Sequence, residues 1–291
     1  MNRVSAATII PLLALAPIAA AHQPAGNAAS PAEQYQAIAK QFNAEGFALR
    51  QAKNDEEREQ AVGRAEKLTL QLLDLAEKHP QDPAAMDALV QAVNQEIWME
   101  NNSSHPTWGP NSPEVRAIAI LLRDHVQSDR AAEACRRMSY GFRKECEKFL
   151  RKVLKDNPHR EVRGLAGLRL AQFLNGRLQR LELVKERPEM AKRYEGLFGK
   201  EYLAALQQQD RAAAIKEVET IFEQAAEQYA DVKVPFGGTV GEKAKSELYE
   251  IRHLAVGKPA PEIEGEDQDG KPFKLSDYRG KVVLLYFWSE Y

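Results

Sequence analysis

The chain has almost no cysteine: Cys135 and Cys146 are the only thiols in 291 residues, and they do not form a Cys-x-x-Cys. That excludes a disulfide-scaffold fold and a zinc ribbon, and it leaves no dithiol at the spacing used for thiol–disulfide exchange. Aromatics are few at 8 %, and glycines number 17, too sparse for the tight turns of an all-β protein. An excess of one charge is also missing. With 40 Lys+Arg against 42 Asp+Glu the formal net charge is −2, which removes the electrostatic basis for a nucleic-acid partner. His22, His79, His105, His125, His159 and His253 stand singly, without His-x-x-x-His or Cys/His spacing, so no metal site is expected. What remains abundant is Ala, Leu, Glu, Lys, Arg and Gln, in long stretches that read as helix.

The first 21 residues read as an export signal. A one-charge start, Met1-Asn2-Arg3, precedes an uncharged, largely apolar run from Val4 to Ile18, and Ala19-Ala20-Ala21 supplies the small-x-small cleavage pattern. The run is short for a membrane span of about 20 residues. No cysteine follows it to carry a lipid anchor. The mature form is therefore expected in the periplasm or cell envelope without an integral span. Residues 22–30, rich in Ala, Pro and Gly, read as a flexible tether; His22 as a new N-terminus offers an amine and a ring to copper, but no second histidine is near.

A mainly α-helical domain is expected over residues 31–254. Ser30-Pro31-Ala32-Glu33 is a capping box with Pro at the first helical position. Asn54-Asp55-Glu56-Glu57 opens a second helix, with Ala61, Ala65, Leu68, Leu72 and Leu75 at core spacing. Asp82-Pro83 opens a third, running through Met86, Leu89, Val93 and Ile97 to Trp98. Similar starts occur at Ser112-Pro113 and Asn157-Pro158. The Pro-containing turns are unevenly spaced, within the range of helical-hairpin repeats. The reading is an irregular stack of hairpins similar to tetratricopeptide or HEAT arrays, with a non-repetitive bundle as the alternative. Further helices are expected over Val162–Val184, Tyr194–Gln208 and Ala212–Tyr229, and from Thr239 to His253. The run Glu145-Cys146-Glu147-Lys148 reads as a solvated helix face, and Trp108 in its Pro/Gly frame as a packing residue.

Held on one helix, Cys135 and Cys146 would stand about 16 Å apart, beyond any bridge. A chain reversal at Ser139-Tyr140-Gly141 would allow a structural disulfide; two buried thiols are the other reading. Neither cysteine has the helix-N-terminal setting of a redox dithiol.

The chain changes character near Leu254. Val256-Gly257-Lys258-Pro259-Ala260-Pro261 cannot be helical. Ile263–Gln268, Asp269-Gly270 and Lys271–Leu275 read as a hairpin with a two-residue type I′ turn. Ser276-Asp277 caps one turn that Gly280 ends. Val282–Trp288 then forms an unbroken apolar and aromatic run, expected as a strand buried on both faces.

These residues resemble a family. Gly257-Lys258-Pro259-Ala260-Pro261, Asp269-Gly270-Lys271, Leu275-Ser276-Asp277-Tyr278-Arg279-Gly280-Lys281-Val282-Val283-Leu284 and Phe287-Trp288 look like the opening of a TlpA/ResA-like redoxin, in the thiol-specific-antioxidant superfamily. Residues 255–291 would then be the N-terminal fragment of an α/β thioredoxin-like domain. The resemblance implies family-motif positions at Gly257, Pro259, Pro261, Gly270, Gly280, Lys281, Phe287 and Trp288. It implies a Cys-x-x-Cys just beyond Tyr291, so that the chain reads as cut before its active site and holds no catalytic residue of its own. It also implies no cofactor, a protein disulfide as substrate and a thiol electron donor. Tyr286 departs from the polar residue common at its position, and Tyr291 from a frequent Trp. The thiol-peroxidase branch is the enzymatic rival, disfavoured because its Pro-x-x-x-Thr-x-x-Cys approach is absent. A helical-repeat interaction scaffold with a degenerate redoxin end is the alternative of another class.

The export reading predicts a mature N-terminus at His22. Mass-spectrometric sequencing of protein recovered from the envelope checks it, and an intact Met1 would contradict it.

Overall fold

A computed structural model describes residues 29–102 and 112–289, with side chains of 95–102 left aside. The expected export signal, most of the tether, the Trp98 side chain, the loop around Trp108, and Glu290 with Tyr291 lie outside the described residues.

Eleven α-helices are seen among those residues: α1 Pro31–Gln51, α2 Asp55–Lys78, α3 Pro83–Asn102, α4 Pro113–Ile120, α5 Ala131–Met138, α6 Lys144–Asp156, α7 Arg160–Glu186, α8 Pro188–Phe198, α9 Lys200–Gln208, α10 Arg211–Gln228 and α11 Val240–Tyr249. α4 and α11 each continue into a π-helical turn, Leu121–His125 and Glu250–Leu254. A two-stranded antiparallel hairpin follows, β1 Glu264–Glu266 with β2 Pro272–Lys274, and then a 3₁₀ turn, Leu275–Tyr278. No helix among the described residues is long and apolar enough to cross a membrane.

Local chemistry sets the helix starts. Ser30 Oγ accepts from the Glu33 amide at 3.3 Å while the Glu33 carboxylate accepts from the Ser30 amide at 2.8 Å. Thr239 and Glu242 repeat that reciprocal pair at the start of α11. Asn54, Asp82, Ser112 and Asp210 each accept from an amide of the first turn, so donors that a helix N-terminus leaves orphaned are satisfied.

Packing follows two patterns. From α1 to α3 consecutive helices lie on one another as hairpins, α1 on α2 and α2 on α3, as the repeat reading expects. Farther on, α5, α6, α8, α10 and α11 all contact α7, which resembles a bundle more than a nearest-neighbour stack. α7 buries residues on two adjoining faces, including Val162, Ala166, Leu168, Leu170, Phe173 and Leu174. Its apolar pattern shows little one-sidedness because it is covered from both.

Two element boundaries depart from expectation. The single helix expected over Tyr194–Gln208 is two, because Gly199 adopts φ +92°, which no helix accommodates, and α8 starts earlier at Pro188. Between α10 and α11 the chain makes a tight reversal in which Lys233 bridges to Thr239 and Val240 N donates to Val232 O at 2.8 Å.

Close helix approach explains one glycine. A Cβ on Gly241 would lie 2.9 Å from both Cα and O of Ala230, so the α10–α11 contact has no room for it. Gly63, inside α2, has nothing within 4 Å. Gly241→Ala is expected to lower unfolding stability by about 1–3 kcal/mol, and Gly63→Ala to raise it by about 0.5–1 kcal/mol. Paired urea titrations check the two signs.

Candidate functional site

Two places deserve a chemical reading: the C-terminal segment, where every expected motif residue lies, and the pair of thiols. In the first, Gly257 turns the chain at φ +88°, with Lys258 N donating to Ala255 O at 3.0 Å, and Pro259 and Pro261 keep it out of helix. The Glu262 carboxylate accepts from Ser276 N at 3.0 Å, and Leu275 N donates to Ile263 O at 2.9 Å. These bonds tie the two ends of the hairpin. Its register pairs Glu264 with Lys274 and Gly265 with Phe273.

The hairpin is present, but its turn differs from expectation. Asp267 O accepts from Gly270 N at 2.9 Å, and Asp267 N donates to Lys271 O at 3.0 Å. Gly270 has φ +75° whereas Asp269 does not enter that region. A type I′ turn needs positive φ at both central residues; a type I turn closed by a glycine bulge needs it once. The Asp267 side chain reinforces the type I form, accepting from the amides of Asp269 and Lys271 at 2.9 Å each. After the 3₁₀ turn, Gly280 at φ +81° ends it, and the Lys281 ammonium sits 5.6 Å over the Tyr278 ring.

The run Val282–Trp288 is the larger correction. Expected as a strand buried on both faces, it makes no ladder and is exposed throughout, from 42 % at Val283 to 103 % at Val282; Phe287 and Trp288 are 83 % and 71 % exposed. A central strand acquires its burial from neighbours on both edges and helices above and below. The described residues contain none of these for it.

A reversal does separate the cysteines, with Gly141 N donating to Met138 O at 3.0 Å between α5 and α6. Both cysteines are fully buried, and no disulfide joins them. The Cys146 thiol lies 3.6 Å from Glu114 Oε1. The other Glu114 oxygen accepts from Arg143 Nε at 2.7 Å, in a pair almost entirely out of water. Arg143 also donates to Leu197 O at 3.3 Å and stacks 5.2 Å over Phe198. Burial pushes the Cys135 thiol well above its ordinary range. A buried protonated thiol is a packing group, not a nucleophile.

Residues 256–291 match the AhpC/TSA family model. The C-terminal segment is thus redoxin-like, of the thioredoxin-fold superfamily, and the protein is mainly helical with this redoxin segment at its C-terminal end. The match covers all eight motif positions and does not single out the TlpA/ResA branch. No curated protein and no solved structure matched the chain. In the redoxin segment the motif glycines 257, 270 and 280 all take left-handed backbone, which accounts for the residue type at each.

Sequence reasoning missed the polar interior beside the cysteines. Glu147, taken as part of a solvated face, binds the nearly buried Arg177 and, at 2.7 Å, Arg151, which reaches on to Glu217. Cys146, Phe149, Leu150 and Val153 face the core from the same helix. A signal did exist: the apolar residues of α6 recur at helical spacing through the charge run. Nothing in one helix, however, reveals that Arg177 waits thirty residues on. Among the described residues no group of three His, Cys, Asp or Glu is placed to hold a metal.

For Glu147, burial pushes the carboxyl up, but Arg177 and then Arg151 outweigh it and hold it below its ordinary value. A depressed carboxyl stabilises the fold above its ordinary pKa, and that contribution is lost as pH falls through the folded-state value. Glu147→Gln is therefore expected to cost about 2–3 kcal/mol at pH 7. The gap to the parent should narrow as pH drops below about 4. Urea unfolding at pH 7 and pH 3.5 checks it; a gap independent of pH would contradict the ion pair.

Proposed function

We propose that the chain carries the N-terminal part of an exported thiol–disulfide oxidoreductase, a TlpA/ResA-like redoxin preceded by a helical domain over residues 31–254. The observation that supports this most is the run Val282–Trp288. It lies inside the redoxin match, follows Gly280-Lys281, and is apolar on both faces yet uncovered. Such a run is made to be the first core strand of a sheet. In that fold the reactive dithiol follows the strand at the head of a helix, where the dipole favours the thiolate. A Cys-x-x-Cys beyond Tyr291, in a longer form of the chain, would occupy that place.

The chemistry is exchange. The first thiolate attacks one sulfur of a protein disulfide, forming a mixed disulfide and releasing a substrate thiolate. The second attacks the first cysteine's sulfur, leaving an oxidised enzyme and a fully reduced substrate. A thiol donor returns the two electrons, and no cofactor takes part. The AhpC/TSA match keeps a thiol peroxidase as the rival reading, disfavoured because the matched residues hold no Pro-x-x-x-Thr-x-x-Cys.

Residues 1–291 alone are expected to reduce insulin no faster than a Cys135→Ser/Cys146→Ser double variant. A chain extended along its coding sequence past Tyr291 should reduce insulin and lose that activity when the first added cysteine becomes serine. Peroxide consumption without insulin reduction would favour the peroxidase. Absence of added cysteines would leave the helical scaffold as the function.

A further inference from the structure

The helical body carries a second feature that the redoxin reading does not use. In the reversal between α10 and α11, Phe236 is 96 % exposed and has φ +72°, a left-handed conformation seen at no other non-glycine residue among those described. The turn that presents it is well tied. Val234 N donates to Gly238 O at 3.1 Å, Gly237 N donates to Val234 O at 3.2 Å, and the side chains of Val232 and Val234 are buried beneath. A large apolar ring held in water on a strained backbone carries two costs at one residue. Structures keep such combinations where they are used.

Phe236 has cationic neighbours, with Glu247 and Glu250 on the far side of the adjoining recess. The Arg136 guanidinium lies 5.7 Å over its ring. Arg136 and Arg137 of α5 and Arg169 of α7 gather there without an ion pair among the described residues, although Glu247 lies close enough to Arg169 to act on its charge. Arg169 donates to Gln172 Oε1 at 2.7 Å, and Arg137 Nε is buried without an acceptor. Burial first, and then the Arg136 charge, lower the pKa of Arg137; burial lowers that of Arg169 against the opposing pull of Tyr140 and Glu247. Tyr140, 60 % exposed, borders the same cluster. Beside it opens a recess of about 380 Å³ lined by Arg169, Gln172, Phe236, Lys243, Glu247 and Glu250.

We propose that this face docks an acidic segment of a partner protein, one carboxylate side chain meeting Arg136 and Arg169 while an adjacent apolar side chain packs on Phe236. Exposed Phe and Tyr among arginines is the composition of an interface centre. Arg169 is recessed, within reach of a protruding side chain but not of a flat headgroup plane. Glu247 and Glu250 on the recess wall oppose a phosphate-dense polymer or bilayer more than a short segment with few carboxylates. This surface belongs to the helical domain and stands whether or not the redoxin chemistry does.

The full chain is titrated by fluorescence anisotropy with labelled octapeptides, in low and physiological salt. One set places Asp and Glu around Leu or Phe, a second reverses the charges to Lys, and a third keeps the acids but replaces the apolar residue with Ser. The first set should bind at least about fivefold tighter than either control and weaken as salt rises. Phe236→Gly and Arg136→Gln should each weaken it at least about fivefold. The glycine variant carries its own control, because φ +72° suits glycine: its melting temperature should hold or rise as binding is lost. A lowered melting temperature with unchanged binding would make Phe236 a structural residue and overturn the proposal. Equal binding of all three sets, or binding of none, also overturns it. So does Phe236-dependent binding to phosphatidylglycerol vesicles or a single-stranded oligonucleotide in place of the peptides.

Discussion

The enclosure of α7 is the constraint on which the helical body depends. A helix with apolar residues on two adjoining faces cannot rest on a single neighbour, and α7 is met by helices that precede it and helices that follow. Small residues on its surface set how near those neighbours come. A Cβ on Gly164 would stand 2.8 Å from Tyr229 Cβ, so the end of α10 approaches as closely as backbone allows. Tyr229 in turn lies under the Arg160 guanidinium, 5.6 Å from its ring, and Arg160 reaches Asp231 at 2.7 Å. The contact that closes the core also fixes where the chain leaves α10.

Within that frame the polar groups divide by what they neutralise. Glu114 with Arg143, and Glu147 with Arg177, place opposite charges together where water is scarce, and each removes a cost that the other's burial imposes. Arg136, Arg137 and Arg169 do the opposite, gathering one charge at an edge of the same body. The first arrangement belongs to folding; the second is the one on which the proposed docking surface rests.

Much of the fold was legible because it is locally encoded. The caps at Ser30, Asn54, Asp82, Ser112 and Thr239 are side chain to nearby amide, and each was visible as a short pattern. The redoxin segment was legible through its ordered motif, including glycines whose left-handed backbone favours that residue type. Legibility failed where distant partners decide. α7 reads as a helix but not as a centre, since its importance lies in what surrounds it. Gly199 gives no break signal in sequence, because a glycine inside a helical pattern is tolerable unless its φ turns positive. Val282–Trp288 has the sequence of a buried strand, and its exposure shows that a strand's burial belongs to its neighbours rather than to its own residues. Phe236 offered no sequence signal: a Pro-Phe-Gly-Gly turn gives no hint that its ring faces solvent beside Arg136 and Arg169.

The order of elements along the chain has a consequence for synthesis. Among the described residues the last α-helix that packs on α7 is α11, whose buried Leu248 comes shortly before the redoxin segment begins. On a ribosome, the helices described around α7 have therefore been made before the hairpin and the run Val282–Trp288 emerge. The helical body can close first, and the apolar run is then delivered next to a finished domain instead of into an open core. An aggregation-prone stretch so placed meets few unsatisfied surfaces on its own chain, and its capture is left to whatever sheet forms around it.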